Sequence, residues 1–306
     1  MKISVIIPTY NRKEQLLRCL ESLKSQSRLP DEVIVSIDGS TDGTAEALAH
    51  WDSGALPLRW IEGANGGRAV VRNRAAKVAR GDLLVFLDDD IRLIPEGIAM
   101  HEAHHYRFPN SLLSGATLEE EALLRTDMHR YKAYLSRLWL APLAVYATEP
   151  MPADRVFLSV ANMSVPRQVF EQLGGFDERL RDAEDYDFGV RAVRAGVPVY
   201  FNYNLVAWHD DFITCASYIR RIRQYKVAQE RLCNLKPELH ARNPRAYRPA
   251  RGWRRLFYRL FSHPMWVQWI DREVFWIRWL PRSLRYRLYD WVIMAQAVHF
   301  PSGQTS

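Results

Sequence analysis

Short β-branched runs alternate with helical patterns over the first ninety residues, and this alternation most narrows what the chain can fold into. Residues 2–8 (KISVIIP) read as a buried strand, followed by a helix over 12–26. EVIVSI (32–37) is a second strand, followed by a helix over 44–51. LRWIE (58–62) is a third, followed by a helix over 68–80, and DLLVFL (82–87) is a fourth. Four strands separated by helices predict an α/β domain with a largely parallel sheet. In such sheets ligands bind just beyond the carboxyl ends of the strands. Thr9 and Tyr10, then Asp38, then Asp88 to Asp90 fall at those ends.

The pattern is less regular beyond residue 90. Residues 95–150 read as mostly helical and carry no clear chemistry. A strand over 156–165 follows, then a short helix, the turn GGFDE (174–178) and a helix over 184–195. VPVYFN (197–202) and LVAWHD (205–210) complete the body, with His209 following a short strand. After Asp211 the chain is helical over 213–235, then Pro- and Arg-rich, then helical again over 266–280. The expected organisation is an α/β domain over 1–211 and a helical region over 212–306.

The chain has 306 residues, enough for about two domains. Apolar residues at 48% and charged residues at 25% exclude a disordered or collagen-like chain. No run reaches the roughly 18 apolar residues of a spanning helix, and the apolar start is too short and lacks a small-residue cleavage site. Cys19, Cys215 and Cys233 have no CxxC spacing and form no disulfide framework, so a reducing cytoplasm is the expected setting. The net charge of +7 is unevenly spread. From Phe212 on there are 18 Lys/Arg against 5 Asp/Glu, leaving 24 against 30 in residues 1–211. Six of the ten Trp also lie in that last third. An acidic body with a basic, Trp-rich tail implies that the tail meets something anionic.

Asp88-Asp89-Asp90 closes a fully apolar strand. Carboxylates so placed suit Mg²⁺ or Mn²⁺ on a phosphate ligand, because hard divalent cations take oxygen ligands. The bland alternative is a solvated acidic turn, although three adjacent carboxylates repel one another unless something compensates them. GxxxxGK[ST] and GxGxxG are both absent, which removes the P-loop and dinucleotide readings. Asp38 stands in a Gly- and Ser-rich turn where it could accept from a base or ribose, while Ser40 and Asp42 also fit a plain turn or cap. Gly66 and Gly67 precede Arg68 and Arg72 at the start of a helix, a setting that favours phosphate but also describes an ordinary capped helix.

The order of these pieces says more than any one of them. VIIPTYNR, IDGSTDGT, ANGGRAVVRN and GDLLVFLDDD, then AN (161–162), GGFDE and EDYDFGVR (184–191), resemble the family 2 glycosyltransferases over residues 1–211. The resemblance implies a GT-A fold, a Rossmann-like mixed sheet flanked by helices. It implies a donor site of Pro8, Thr9, Tyr10, Asp38, Arg72, Asp88 and Asp89, with Asp38 on the base, Arg72 facing the nucleotide and Asp88 near the ribose. Ile37 replaces the first residue of the family's usual Asp-Asp pair. Asp90 would hold Mn²⁺ or Mg²⁺, joined by His209 of AWHDD. Gly174, Gly175 and Glu184 would lie on the acceptor side, and Asp185 would be the general base.

Inverting sugar transfer needs one carboxylate to take the acceptor proton as the hydroxyl attacks opposite the leaving group. Read without the resemblance, the same segment is a surface helix in which Asp187 pairs with Arg191 at i, i+4, and His209 is a packed or surface histidine. In the tail, Trp266, Trp269, Ile270, Val274, Ile277 and Leu280 recur at helical spacing, with Trp276 and Trp279 widening the face. Arg-rich, Trp-rich amphipathic helices suit anionic lipid headgroups, and packing on the body or on a partner is the alternative. No motif that reads nucleic acid accompanies the charge, so no nucleic-acid partner is expected. QxxRW and spanning helices, which mark processive synthases, are missing, so transfer of a single sugar is expected. The donor would be a UDP-, GDP- or dTDP-linked sugar and the acceptor a saccharide or lipid-linked glycan. The place would be the cytoplasm, peripheral on the inner face of the membrane. A nucleotide-sugar-binding protein without turnover and a sugar-phosphate nucleotidyltransferase are the alternatives.

Overall fold

The computed structural model describes residues 1–240 and 250–301. Residues 241–249, in the Pro- and Arg-rich stretch, lie outside the described residues. The chain divides into two compact units. One comprises Met1–Glu120 and Ser136–Asp211, the other Glu121–Leu135 and the chain from Phe212 on.

The first unit is an eight-stranded mixed sheet flanked by helices. Its amino-terminal half follows the predicted alternation: β1 (Ile3–Thr9), α1 (Lys13–Lys24), β2 (Glu32–Asp38), α2 (Thr44–His50), β3 (Leu58–Gly63), α3 (Arg68–Val78) and β4 (Leu83–Leu87). β1 pairs in parallel with β2 and with β4, and β2 with β3. Every residue of β2 and β4 is buried, as expected of parallel strands covered on both faces.

The second half of the sheet departs from the linear reading. β5 (Ile91–Leu93) follows β4 directly, and within the region 95–150 read as helical α4 (Gly97–Arg107) is a helix but β6 (Leu112–Leu118) is a strand. LLSGATL of β6 has Thr117 as its only β-branched residue, so little in its composition signals a strand. It is a strand because β7 (Asn162–Pro166) and β8 (Val199–His209) flank it, completing the order β3-β2-β1-β4-β7-β6-β8-β5. The strand expected over 156–165 begins only at Asn162. VPVYFN and LVAWHD form one strand, β8, with a bulge: Gly115 faces Asn202 but Ala116 faces Val206. Asn162 fills that bulge. Its buried amide donates to the Leu205 carbonyl at 2.9 Å and would collide with any side chain at Gly115.

α5 (Asp127–Leu140), α6 (Arg167–Gln172) and α7 (Glu184–Arg194) complete the helices before β8. After Asp211 come α8 (Cys215–Leu235), α9 (Pro237–His240), α10 (Trp253–Leu260), α11 (Met265–Asp271), α12 (Phe275–Arg278) and α13 (Arg282–Met294). Thr214 and Ser217 cap α8 reciprocally, and the Asp271 carboxylate accepts from the Ala216 amide at 3.2 Å. The single helix expected over 266–280 is broken into α11 and α12. Glu273 takes φ +47° between them, and its carboxylate accepts from the Asp127 amide at 2.6 Å. Ile270 and Ile277 are buried on either side of the break. The three cysteines are free thiols. No described helix is long and apolar enough to cross a membrane.

Behind the sheet, α4 carries three histidines joined to serine and asparagine side chains. His101 meets Ser164 Oγ at 2.8 Å and Asn162 Oδ1 at 3.0 Å, His105 meets the same Ser164 Oγ at 2.8 Å, and His104 meets Ser111 Oγ at 3.0 Å. Burial pushes His101 and His104 down to about 4, and His105 lower still. Below an unfolded pKa of about 6.5 the unfolded chain takes up protons that the folded chain refuses. Their contribution is therefore intact above that pH and is lost as pH falls toward 4. Buried Asp89, described below, works in the opposite sense, so wild type must be compared with His101→Gln. Between pH 6.5 and 5 the wild type is expected to lose about 1–2 kcal/mol more than the variant, read from urea unfolding midpoints. Parallel pH profiles for the two proteins would exclude this coupling.

Candidate active site

The predicted residues of the donor half converge on the carboxyl edge of β1, β2 and β4. Pro8 is half-buried in β1, Thr9 is buried and Tyr10 is exposed. Asn11, at φ +52°, laces the loop after β1 to the loop after β2: its Oδ1 accepts from the Thr41 amide at 2.7 Å and its own amide donates to Ser40 Oγ at 3.0 Å. Asp42 receives the Lys13 amide at 3.0 Å and the Thr44 amide at 3.2 Å, so it caps rather than catalyses. Asp38 ends β2, and its two carboxylate oxygens accept the amides of Gly66 at 2.8 Å and Gly67 at 3.0 Å. The loop and the start of α3, where phosphate was expected, thus receive an internal carboxylate. Gly39 lets the two loops approach, since it has φ +73° and a Cβ there would lie 3.0 Å from the Asn65 amide.

Arg72, expected to face the nucleotide, is buried beside the carboxyl end of β4. Its guanidinium is 1% exposed, with Nη2 2.6 Å from Asp88 Oδ1 and Nη1 2.7 Å from Glu184 Oε1. It joins the carboxyl end of β4 to the first turn of α7. The two neighbouring polar residues of α3 do similar work. Arg68 meets Asp182 at 2.6 Å. Asn73, which the sequence reading missed, donates to the Phe176 carbonyl at 2.8 Å and accepts the Phe176 amide at 3.0 Å.

Glu184 is buried beside Arg72, and Asp185, next along α7, is half-buried with Oδ1 2.7 Å from the Tyr186 amide. Both carboxylates stand in the first turn of α7, where the helix favours negative charge. The expected Asp187–Arg191 pair forms at 2.8 Å, but not on a surface. Asp187 is fully buried, and Arg191 also donates to the Gly175 carbonyl at 2.7 Å. Gly174 and Gly175, with φ +74° and +66°, turn the chain out of α6. At Gly175 a Cβ would stand 2.9 Å from Asn73 Oδ1. The GGFDE turn therefore braces α7 against α3.

The acidic cluster lies on the other side of Asp88. Asp89 and Asp90 are both buried. Arg12, absent from the predicted site, pairs with Asp90 and lies 3.6 Å from Asp89. Burial and then the charge of Asp90 push the Asp89 carboxyl up to about 7, against the pull of Arg12. For Asp90, burial would raise the carboxyl, but His209 and then Arg12 overcome it and hold it well below the usual carboxylate range. His209 Nε2 lies 3.5 Å from Asp90 Oδ2. The three residues of HDD part at the end of β8: Asp210 turns to Arg92 at 2.8 Å, while His209 and Asp211 join Asp90. Ligand atoms of Asp90, His209 and Asp211 all lie within 4.8 Å of one another. Asp90 Oδ1 is buried without a hydrogen-bond partner. A buried unpaired carboxylate oxygen within an oxygen and imidazole donor set fits a divalent cation.

Comparison with known proteins identifies the family and the fold. The family model described as glycosyl transferase family 2 matches residues 4–173. The uncharacterized glycosyltransferase YfnE of Bacillus subtilis is 30% identical, over 69% of this chain and 65% of its own length. The O-antigen chain rhamnosyltransferase RfbN of Salmonella typhimurium is 28% identical, over 68% of this chain and 66% of its own length. The chain thus spans just under two thirds of each. Among solved structures, the mannosyltransferase PcManGT from Pyrobaculum calidifontis, in complex with GDP-Man and Mn²⁺, superposes with a TM-score of 0.63 at 18% identity, over 97% of this chain and 86% of that one. Staphylococcus aureus TarS 1-349, in complex with UDP-GlcNAc, gives 0.54 at 18% identity, over 97% and 90%. The mixed sheet with flanking helices is the GT-A fold of these neighbours. With the family model covering more than half its length, the chain belongs to glycosyl transferase family 2.

Proposed function

We propose that this protein transfers one sugar from a nucleoside diphospho-sugar to an acceptor hydroxyl with inversion, and that the transfer depends on a divalent metal ion. The observation that carries this reading is the Arg72 bridge, which ties the DDD turn of β4 and the ED turn of α7 into one buried arrangement. Donor-side carboxylates and a helix-borne base candidate are then held in fixed relation without a ligand, the preorganisation that positioning catalysis requires. The solved neighbours bind GDP-Man and UDP-GlcNAc, which supports a nucleotide sugar as donor. RfbN supports an acceptor in surface polysaccharide assembly, and a lipid-linked saccharide fits that setting.

In this reading Thr9, Tyr10 and the loop braced by Asp38 form the wall of the nucleotide pocket, and Asp88 stands at the ribose. Asp90, His209 and Asp211 would hold Mn²⁺ or Mg²⁺, which when bound offsets the negative charge of the diphosphate leaving group. Arg12 must give up part of its pairing with Asp90 as that charge arrives, and the diphosphate offers it a replacement partner. Asp185 takes the acceptor proton. Glu184 keeps Asp185 in place through Arg72, and Arg191 with Gly175 holds the rest of the helix. Gly174 and Gly175 act on the acceptor side by fixing the turn against which α7 rests.

Two measurements test this. Asp90→Ala should abolish Mn²⁺-dependent binding of a nucleoside diphosphate in calorimetry while far-UV circular dichroism stays unchanged, and retained affinity would remove Asp90 from the metal site. Once a thermal-shift panel of nucleotide sugars has identified the donor, Asp185→Asn should cut kcat about 10²–10⁴-fold, the usual loss of a positioned base. Donor affinity should stay nearly constant. Normal turnover in Asp185→Asn would assign the base elsewhere.

A further inference from the structure

We propose that α10 is a membrane-docking helix that seats on an anionic lipid surface. WRRLFYRL carries an apolar arc wider than its packing needs. Phe257 and Phe261 point inward: the Phe257 ring meets Trp291 at 5.2 Å, and the Phe261 ring meets Trp266 at 5.2 Å. The remainder of the arc, Trp253, Leu256 and Leu260 at i, i+3 and i+7, is 77%, 73% and 64% exposed in the whole chain. Three large apolar side chains along one stripe of a two-turn helix are more than scattered surface exposure, and such stripes mark interaction surfaces.

Charge identifies the partner. Arg251, Arg254, Arg255 and Arg259 are all exposed. Between Glu238 and Asp271 the sequence contains no carboxylate. On a helical projection Arg255 and Arg259 border the stripe beside Leu256, so cations flank the apolar edge, as in helices that lie in a lipid interface. A second copy of the chain would set these arginines against themselves. Nucleic acid would match the charge, but solvent-exposed Leu256 and Leu260 gain nothing from phosphates or base edges. An anionic bilayer satisfies both halves of the helix, with Leu and Trp at the acyl boundary and arginine among headgroups. α12 repeats the composition, with Phe275 and Trp279 exposed beside Arg278 and their rings 5.8 Å apart.

The experiment uses the intact chain and unilamellar vesicles of phosphatidylcholine, with or without phosphatidylglycerol, in a sedimentation assay at low salt. The protein should pellet with the anionic vesicles and not with the neutral ones. The double variant Leu256→Glu, Leu260→Glu changes only exposed positions and should lower partitioning at least tenfold with an unchanged unfolding temperature. Arg255→Gln with Arg259→Gln should lower it about 25-fold, near fivefold for each arginine at an anionic surface, and flatten its salt dependence. Equal partitioning of the leucine variant and wild type would overturn the assignment to α10. Equal binding to neutral and anionic vesicles would overturn the electrostatic basis. Absence of vesicle binding, with a dimer that the leucine variant abolishes, would show that a second copy covers the stripe. Binding to a DNA or RNA duplex in preference to anionic vesicles would likewise overturn the lipid reading. None of these results depends on the transfer reaction.

Discussion

A single buried guanidinium holds the catalytic half of the molecule in register. Arg72 leaves solvent almost completely and divides its planar fork between Asp88 and Glu184, which are far apart in the sequence. Burying a charge costs several kcal/mol unless its partners are well placed, so the bridge forms only when β4, α3 and α7 are all in position. Arginine suits this work because its fork reaches two carboxylates at once, which a lysine point charge would not. α3 thereby becomes the spine of the site, with Arg68, Arg72 and Asn73 each fastening part of the segment from Phe176 to Glu184.

Around this spine the carboxylates differ in their partners. Asp38, Asp42, Asp187 and Glu184 have amides or guanidinium groups as partners and shape the loops. Asp90, His209 and Asp211 converge beside Arg12, where positive charge already compensates the acidic turn. This arrangement answers the repulsion that three successive aspartates would otherwise suffer: Asp88 is neutralised by Arg72, Asp90 by Arg12, and Asp89, left between them, is pushed up to about 7 by burial and its neighbour. One cation is fixed in the core and the other sits at the edge, where it can exchange partners.

The second unit follows different rules. Its core rests on aromatic and isoleucine contacts, and Asp127, Asp271 and Glu273 satisfy helix ends and arginine. Its tryptophans serve two ends: Trp266 and Trp291 meet the buried Phe261, whereas Trp253 and Trp279 face outward. Sequence periodicity treats all of them alike, because spacing marks an apolar face and not what covers it.

The first four strands, their parallel order and the aspartates at their ends were legible in the sequence because they depend on local propensity and on apolar runs buried on both faces. The family resemblance was legible as an ordered set of short motifs. Tertiary structure decided what depends on distant partners. β6 is a strand because its neighbours supply the hydrogen bonds, and β8 is continuous because Asn162 fills its bulge. Arg72 is a buried tie between Asp88 and Glu184, whose carboxylates meet only when the sheet closes. Arg12 gave no signal because PTYNR says nothing of the residue 78 positions later that it pairs with. Which of Asp210 and Asp211 faces Asp90 was fixed only in the folded chain, where Asp210 pairs with Arg92.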